Sequence, residues 1–219
     1  MLEQIEAQTL YYRTINLAKQ SLPSFRMFYP ELRLVIVDNS GGDECTMFLR
    51  DWVNQDKYSE LLEIPKNLGH GRGLDYGIQR SKCKYVFLFE SDTIILNGGI
   101  IEKMLELMTY KVYGIGDLFY CTASHPYNYI CKVTENIGFS RTKMKYIWTY
   151  AALISVEKYK EFPPFNDDSG TNASPLGDAF KAIHWTGRPD ELLIDFDTSP
   201  YVKHLEHGTV KLHGFPETA

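Results

Sequence analysis

A chain of 219 residues, 44% hydrophobic and 23% charged, carries enough apolar material for one well-buried core, which excludes disorder as its main state. A formal charge of -5 argues against affinity drawn from neutralising phosphate backbones, so nucleic acid is a poor default partner. Aromatic residues make up 14%, with 15 Tyr and 12 Phe; most are expected to fill the core, with some left over as stacking surfaces.

The opening MLEQIEAQTL has acids where a secretory signal would carry basic residues before a long apolar stretch, and no uninterrupted apolar run in the chain reaches membrane-spanning length. The expectation is a cytoplasmic protein without a transmembrane segment. Tyr11, Ile15, Ala18 and Leu22 stand at helical spacing, and Pro23 is expected to stop that helix. The run Leu32 to Val37 is too apolar for a half-exposed strand and belongs in a parallel sheet covered on both faces. A turn-rich acidic loop follows, then Phe48, Leu49 and Trp52 at helical spacing, then a short strand at Leu61 to Ile64. Asn67 to Gly73 (NLGHGRG) reads as a glycine-rich loop feeding a helix through Leu74 and Ile78. Tyr85 to Phe89 is another fully apolar strand, and Ile100, Ile101, Met104, Leu105 and Met108 form one helical stripe.

Strand, helix, strand, helix, strand in this order gives right-handed crossovers and an open, mostly parallel α/β sheet with helices on both faces. Beyond Leu118 the pattern loosens into shorter aromatic strands (LFYCTAS, YNYICKV, YAALISV), a Pro163-Pro164 turn and a late helix at about Leu176 to Trp185. A smaller mixed sheet is expected there. No repeat, low-complexity tract or linker divides the chain, so 1–219 is taken as one domain with halves meeting near residue 118. Cys45, Cys83, Cys121 and Cys131 show no CxxC spacing, so they read as free thiols and not as a zinc site.

Polar residues at the carboxyl ends of parallel strands line the binding crevice. Here those ends carry Asp38-Asn39-Ser40 and Glu90-Ser91-Asp92. Two carboxylates one residue apart suit a hard divalent cation, whereas solvated strand-end acids are the plainer alternative. Asn67, Gly69 and Arg72 add small residues, an amide and a guanidinium that suit a pyrophosphate, with a tight turn into a helix as the alternative. The spacing is not the dinucleotide GxGxxG, which argues against a nicotinamide site.

Together these segments resemble the GT-A type, family 2 glycosyltransferases, over about Tyr11 to Thr209. LRLVIVDNSGGDE is similar to the family's second strand and its VDNxSxD loop, NLGHGRGLDYGI to its NxGxxxAxNxG segment, and YVFLFESDTIIL to the strand carrying its DxD motif. The resemblance implies a single GT-A domain, with about 1–118 binding the nucleotide sugar and about 119–219 binding the acceptor. It implies transfer, with inversion, from a nucleotide diphosphate sugar to a hydroxyl of a glycan, a lipid-linked sugar, a protein or a modified base, using Mn2+ or Mg2+. Asp38 would contact the nucleoside, Glu90 would face the ribose and Asp92 would ligate the cation. In the second half PLGDAFKAIHWTGR resembles the segment that ends in the catalytic base, which points to Asp178 with Asp167 and Asp168 as rivals. YVKHLEHGT resembles the late HxxG(S/T) segment, pointing to His204 or His207 at the metal. His70 and His184 receive no role, and Tyr146, Trp148 and Tyr150 are either core or a stacking surface.

The chain departs from the family pattern in two places. The usual opening strand is either degenerate or missing, because only MLEQIEAQTL precedes the helix. Gly177 replaces the acid before the base and Glu90 replaces an Asp. These departures motivate an alternative, a catalytically inactive nucleotide-sugar-binding module. A sugar nucleotidyltransferase would need a glycine-rich loop after its first strand, which this chain lacks.

Overall fold

In the computed structural model, residues 2–121, 144–166 and 177–205 are described. A seven-stranded sheet runs in the order β3-β2-β1-β4-β7-β6-β8. Its strands are β1 (Ile5–Tyr11), β2 (Leu34–Asp38), β3 (Ser59–Glu63), β4 (Tyr85–Phe89), β6 (Gly114–Cys121), β7 (Met144–Ser155) and β8 (Leu193–Asp195). The first four are mutually parallel, β7 runs against β4 and β6, and β8 is parallel to β6. Strands β6, β7 and β8 therefore extend the main sheet where a smaller separate one was expected, and β5 (Thr93–Ile95) pairs with β9 (Val202–His204) in a separate two-stranded antiparallel ladder.

Alternate residues of each strand feed two cores. Ala7, Ile36, Phe87 and Leu153 meet α1 (Ile15–Phe28), α2 (Glu44–Gln55) and α4 (Ile100–Leu107) on one face. Leu10, Val35, Leu88 and Ile154 meet α3 (His70–Ile78), α5 (Val156–Glu161) and α6 (Gly177–Trp185) on the other. A strand covered on both sides has no polar face to show, which is why LVIV and YVFLF read as unbroken apolar runs.

The opening strand exists, and it is central. β1 pairs with β2 on one side and β4 on the other, with every residue buried. Glu6, Gln8 and Thr9 disguise it. Each polar group that leaves water needs a partner: Glu6 Oε2 lies 3.3 Å from Arg33 Nε, and Gln8 Nε2 donates to the Leu74 carbonyl at 2.8 Å. Helix α3 must come close to β1 for that bond, and its glycines permit it. A Cβ on Gly77 would stand 2.5 Å from Gln8 Cδ, and one on Gly73 would stand 2.2 Å from Leu10 Cδ1. His70 to Gly73 thus belong to the helix, whereas the loop reading placed them before it.

Two further expectations are corrected. Tyr11 closes β1 and is not on the helix, and Pro23 lies inside α1, which continues to Phe28. The helix forgoes the bond that a residue-23 N–H would make, yet Leu22 and Phe25 on either side are fully buried, and that packing outweighs one missing bond. Among the described residues no helix is long and apolar enough to cross a membrane.

Candidate functional site

The chain runs outward from β1 to β2 to β3 and then returns to place β4 on the other side of β1. The strand order reverses there, and the crevice of an open α/β sheet lies outside the carboxyl ends at such a switch point. The loops after β1, β2 and β4 all leave from this edge.

At the end of β2 the polar groups mostly hold one another. Asp38 Oδ1 accepts from the Ser40 N–H at 2.9 Å and Oδ2 accepts from the Thr46 hydroxyl at 2.5 Å. The Asn39 amide donates to Asn67 Oδ1 at 2.8 Å and to the Gly69 carbonyl at 3.2 Å, and accepts from the Leu68 N–H at 2.9 Å. The Arg13 N–H donates to Ser40 Oγ at 2.9 Å. Asp38, Asn39, Ser40, Asn67 and Gly69 are therefore brought together as predicted neighbours, and their bonds fix the shape of the rim. Arg72 projects from the exposed side of α3, where Nε donates to Asn166 Oδ1 at 3.1 Å.

A second group forms after β4. Ser91 and Asp92 are buried and Glu90 is half-buried. β9 pairs with β5, the strand that follows Asp92, with Thr93 opposite His204, and the Leu205 N–H donates to the Asp92 carbonyl at 3.0 Å. That ladder sets His204 Nε2 at 3.2 Å from Asp92 Oδ1 and 3.8 Å from Glu90 Oε2. Glu90 Oε1 accepts from the Thr149 hydroxyl at 2.6 Å and lies 3.6 Å from His70 Nε2. Burial pushes the Glu90 carboxyl up, but His204, His70 and Thr149 more than reverse this and hold it ionised. Burial likewise lowers His204, and the two carboxylates outweigh it to lift the imidazole to about 9.

One ligand atom each from Glu90, Asp92 and His204 falls within 4.8 Å of the others, a spacing that can hold a metal ion. His204 Nε2 is buried, close to Asp92, yet makes no hydrogen bond among the described residues. A buried imidazole nitrogen held between two carboxylates fits a divalent cation, and carboxylate oxygens suit Mg2+ and Mn2+. Glu90, assigned to the ribose by the resemblance, sits in this cluster. His70 and Thr149 were missed: His70 lay in a motif read for its glycines, and Thr149 reaches Glu90 only through strand pairing.

Of the other candidates, Asp178 falls in the first turn of α6, where only its backbone is described. Asp167, Asp168 and His207 lie outside the described residues. Burial lowers the His184 imidazole, whose Nε2 lies 3.0 Å from the Lys145 carbonyl, away from the cluster. Tyr146, Trp148 and Tyr150 form a half-buried row with Phe119 on the sheet face beside His204.

A mixed sheet with this strand order, a polar rim after β2 and an acidic group after β4 define the GT-A class of fold. The family model "Glycosyl transferase family 2" matches residues 6–152, and the chain belongs to that family. Solved structures of similar fold include a mannosyltransferase from Pyrobaculum calidifontis in complex with GDP-Man and Mn2+, with a TM-score of 0.67 and 14% identity, covering 95% of this chain and 59% of that one. Glucosyl-3-phosphoglycerate synthase from Mycobacterium tuberculosis with Mn2+, UDP and glucosyl-3-phosphoglycerate aligns with a TM-score of 0.60 and 11% identity, over 95% of this chain and 74% of that one. An uncharacterized glycosyltransferase from Haemophilus influenzae is 25% identical over 80 residues, 36% of this chain and 32% of that protein. The chain thus spans well under two thirds of the mannosyltransferase, and the sequence match reaches about a third of the Haemophilus protein.

Proposed function

We propose that this chain transfers a hexose, with inversion, from a nucleotide diphosphate sugar to an acceptor hydroxyl, using Mn2+ or Mg2+. The observation that carries this reading is the convergence of Glu90, Asp92 and the buried His204 nitrogen at the switch point of the sheet. The bound cation would neutralise charge on the departing diphosphate.

The chain's own residues have distinct parts in this reading. Asp92 and His204 hold the cation, with Glu90 completing the set and kept ionised by Thr149 and His70. Asp38, Asn39, Ser40, Asn67 and Gly69 shape the rim that receives the nucleoside and diphosphate, and Ser91 lies buried between the two acids. Arg72, at the start of α3, steadies the diphosphate. Asp178 accepts the proton of the attacking hydroxyl, and a single displacement from the opposite face of the sugar inverts the anomeric carbon. The acceptor, a glycan, lipid-linked sugar, protein or modified base, approaches from the side of residues 119–219, the nucleotide sugar from that of residues 1–118. The setting is the cytoplasm. The inactive-module alternative loses its first motive, since β1 is present and central.

A thermal-shift screen against nucleotide diphosphate sugars with and without Mn2+, followed by assay of donor hydrolysis, tests this. A donor that raises the midpoint only when Mn2+ is present, and that is slowly hydrolysed, is the expected result. Tight donor binding without any hydrolysis would favour a binding module instead.

A further inference from the structure

Several groups on β6 and β7 have no part in that reading, yet they converge on His204. The Tyr150 ring lies flat against the His204 imidazole, with centroids 4.6 Å apart and planes 13° from parallel. Trp148, also on β7, meets the imidazole edge-on at 5.7 Å. Tyr150 is itself anchored: its hydroxyl donates to Asp117 Oδ2, which also accepts from the Thr198 hydroxyl, while Asp117 Oδ1 accepts from the Thr198 N–H at 3.3 Å.

This anchor sits where the β6–β7 ladder breaks. Gly116 pairs with Ala152 and Leu118 with Ile147, so Asp117 alone faces the stretch 148–151. Such irregularities re-aim side chains, often beside functional sites. Neighbouring residues of a regular strand point to opposite faces, yet here Thr149 bonds Glu90 and Tyr150 stacks on His204, so consecutive residues serve two members of one cluster.

We propose that Tyr150, fixed by Asp117, is a positioning residue that sets the plane of the His204 ring so that Nε2 faces Asp92 and Glu90. A metal-binding imidazole needs its orientation fixed by neighbours, and removing such support typically weakens metal affinity about 10–100-fold. The inference rests on the reading of Glu90, Asp92 and His204 as a cation site.

Two readouts test it. Mn2+ affinity is measured by the electron paramagnetic resonance signal of the free ion, in the presence of a nucleoside diphosphate, and the His204 ring protons are followed by NMR in metal-free protein. Tyr150→Leu is expected to weaken Mn2+ binding about 10-fold and to take away the upfield displacement that the Tyr150 ring current gives His204, leaving only the contribution of Trp148. Tyr150→Phe keeps the stack, removes the bond to Asp117 and should show a smaller loss with the ring-current displacement retained; it also serves if the leucine variant fails to fold. A wild-type Mn2+ affinity in Tyr150→Leu, or in Tyr150→Phe where only that variant folds, overturns the inference while leaving the cation site intact. So does a wild-type His204 without a ring-current displacement. A wild-type protein that binds no Mn2+ overturns the cation reading and this inference with it.

Discussion

The acids that flank the parallel strands and those that follow β4 meet different partners. At the amino ends, acids meet guanidinium groups: Asp56 lies 2.5 Å from Arg26, Glu60 2.7 Å from Arg33 and Glu6 3.3 Å from the same Arg33. At the carboxyl end of β3, Glu63 is likewise forked by Arg50 at 2.8 and 2.6 Å, whereas after β4 Glu90 and Asp92 meet the imidazoles of His70 and His204 at 3.2 to 3.8 Å. A guanidinium stays charged at any ordinary pH and offers no lone pair, so its pairing is closed and serves the fold. An imidazole can give up its proton and turn a lone pair to a cation, so its pairing with a carboxylate is convertible. The guanidinium pairs stay as they are, whereas the imidazole pairs after β4 are of a kind that can exchange a proton for a ligand.

The largest expected effect breaks chemistry without touching either set of pairs. Asp178→Ala should lower transfer about 10²- to 10⁴-fold, the usual worth of a positioned base, with donor affinity unchanged by titration calorimetry. Turnover near wild type would move the base to Asp167 or Asp168.

Arg26→Ala probes the closed pairs. Arg26 also donates to the carbonyls of Tyr29 and Leu32 at 2.8 and 2.7 Å, tying the end of α1 to the approach to β2. Removing it takes away the cation beside Asp56, which keeps only the Ser59 hydroxyl and the Tyr58 N–H, and should cost about 2 kcal/mol in urea unfolding, with Mn2+ affinity of the folded protein intact. Gly77→Ala should cost about 2 kcal/mol through the clash with Gln8.

The smallest effect is in acid. Burial raises the Asp56 carboxyl, but Ser59, Arg26 and the Tyr58 N–H outweigh it and hold it below its ordinary value. A group depressed in the folded state stabilises above its unfolded pKa, about 3.9, and that stability fades as pH falls through the folded value. Unfolding from pH 6 down to pH 2 should therefore cost the wild type more stability than it costs Asp56→Asn.

β2 and β4 were legible in the sequence because burial on both faces leaves only apolar residues to read. β1 was not: Glu6, Gln8 and Thr9 look like surface, and the partners that make Glu6 and Gln8 bearable inside, Arg33 and Leu74, come from other elements. Pro23 misled for the same reason, since the burial of Leu22 and Phe25 that keeps α1 going is set by tertiary packing. At the site, Glu90 and Asp92 stood out by spacing and by resemblance. Their meeting with His204 depends on the β5–β9 ladder, which joins residues too far apart in the chain for any periodicity to connect.

The most direct test of the convertible pairs after β4 is a Mn2+ titration, followed by the signal of the free ion, of wild-type protein and Asp92→Ala in the presence of a nucleoside diphosphate. The cation-site account predicts one bound Mn2+ in the wild type and a loss in Asp92→Ala that exceeds the roughly 10-fold loss expected of Tyr150→Leu. Equal affinity in the two proteins, or no binding in the wild type, would contradict it.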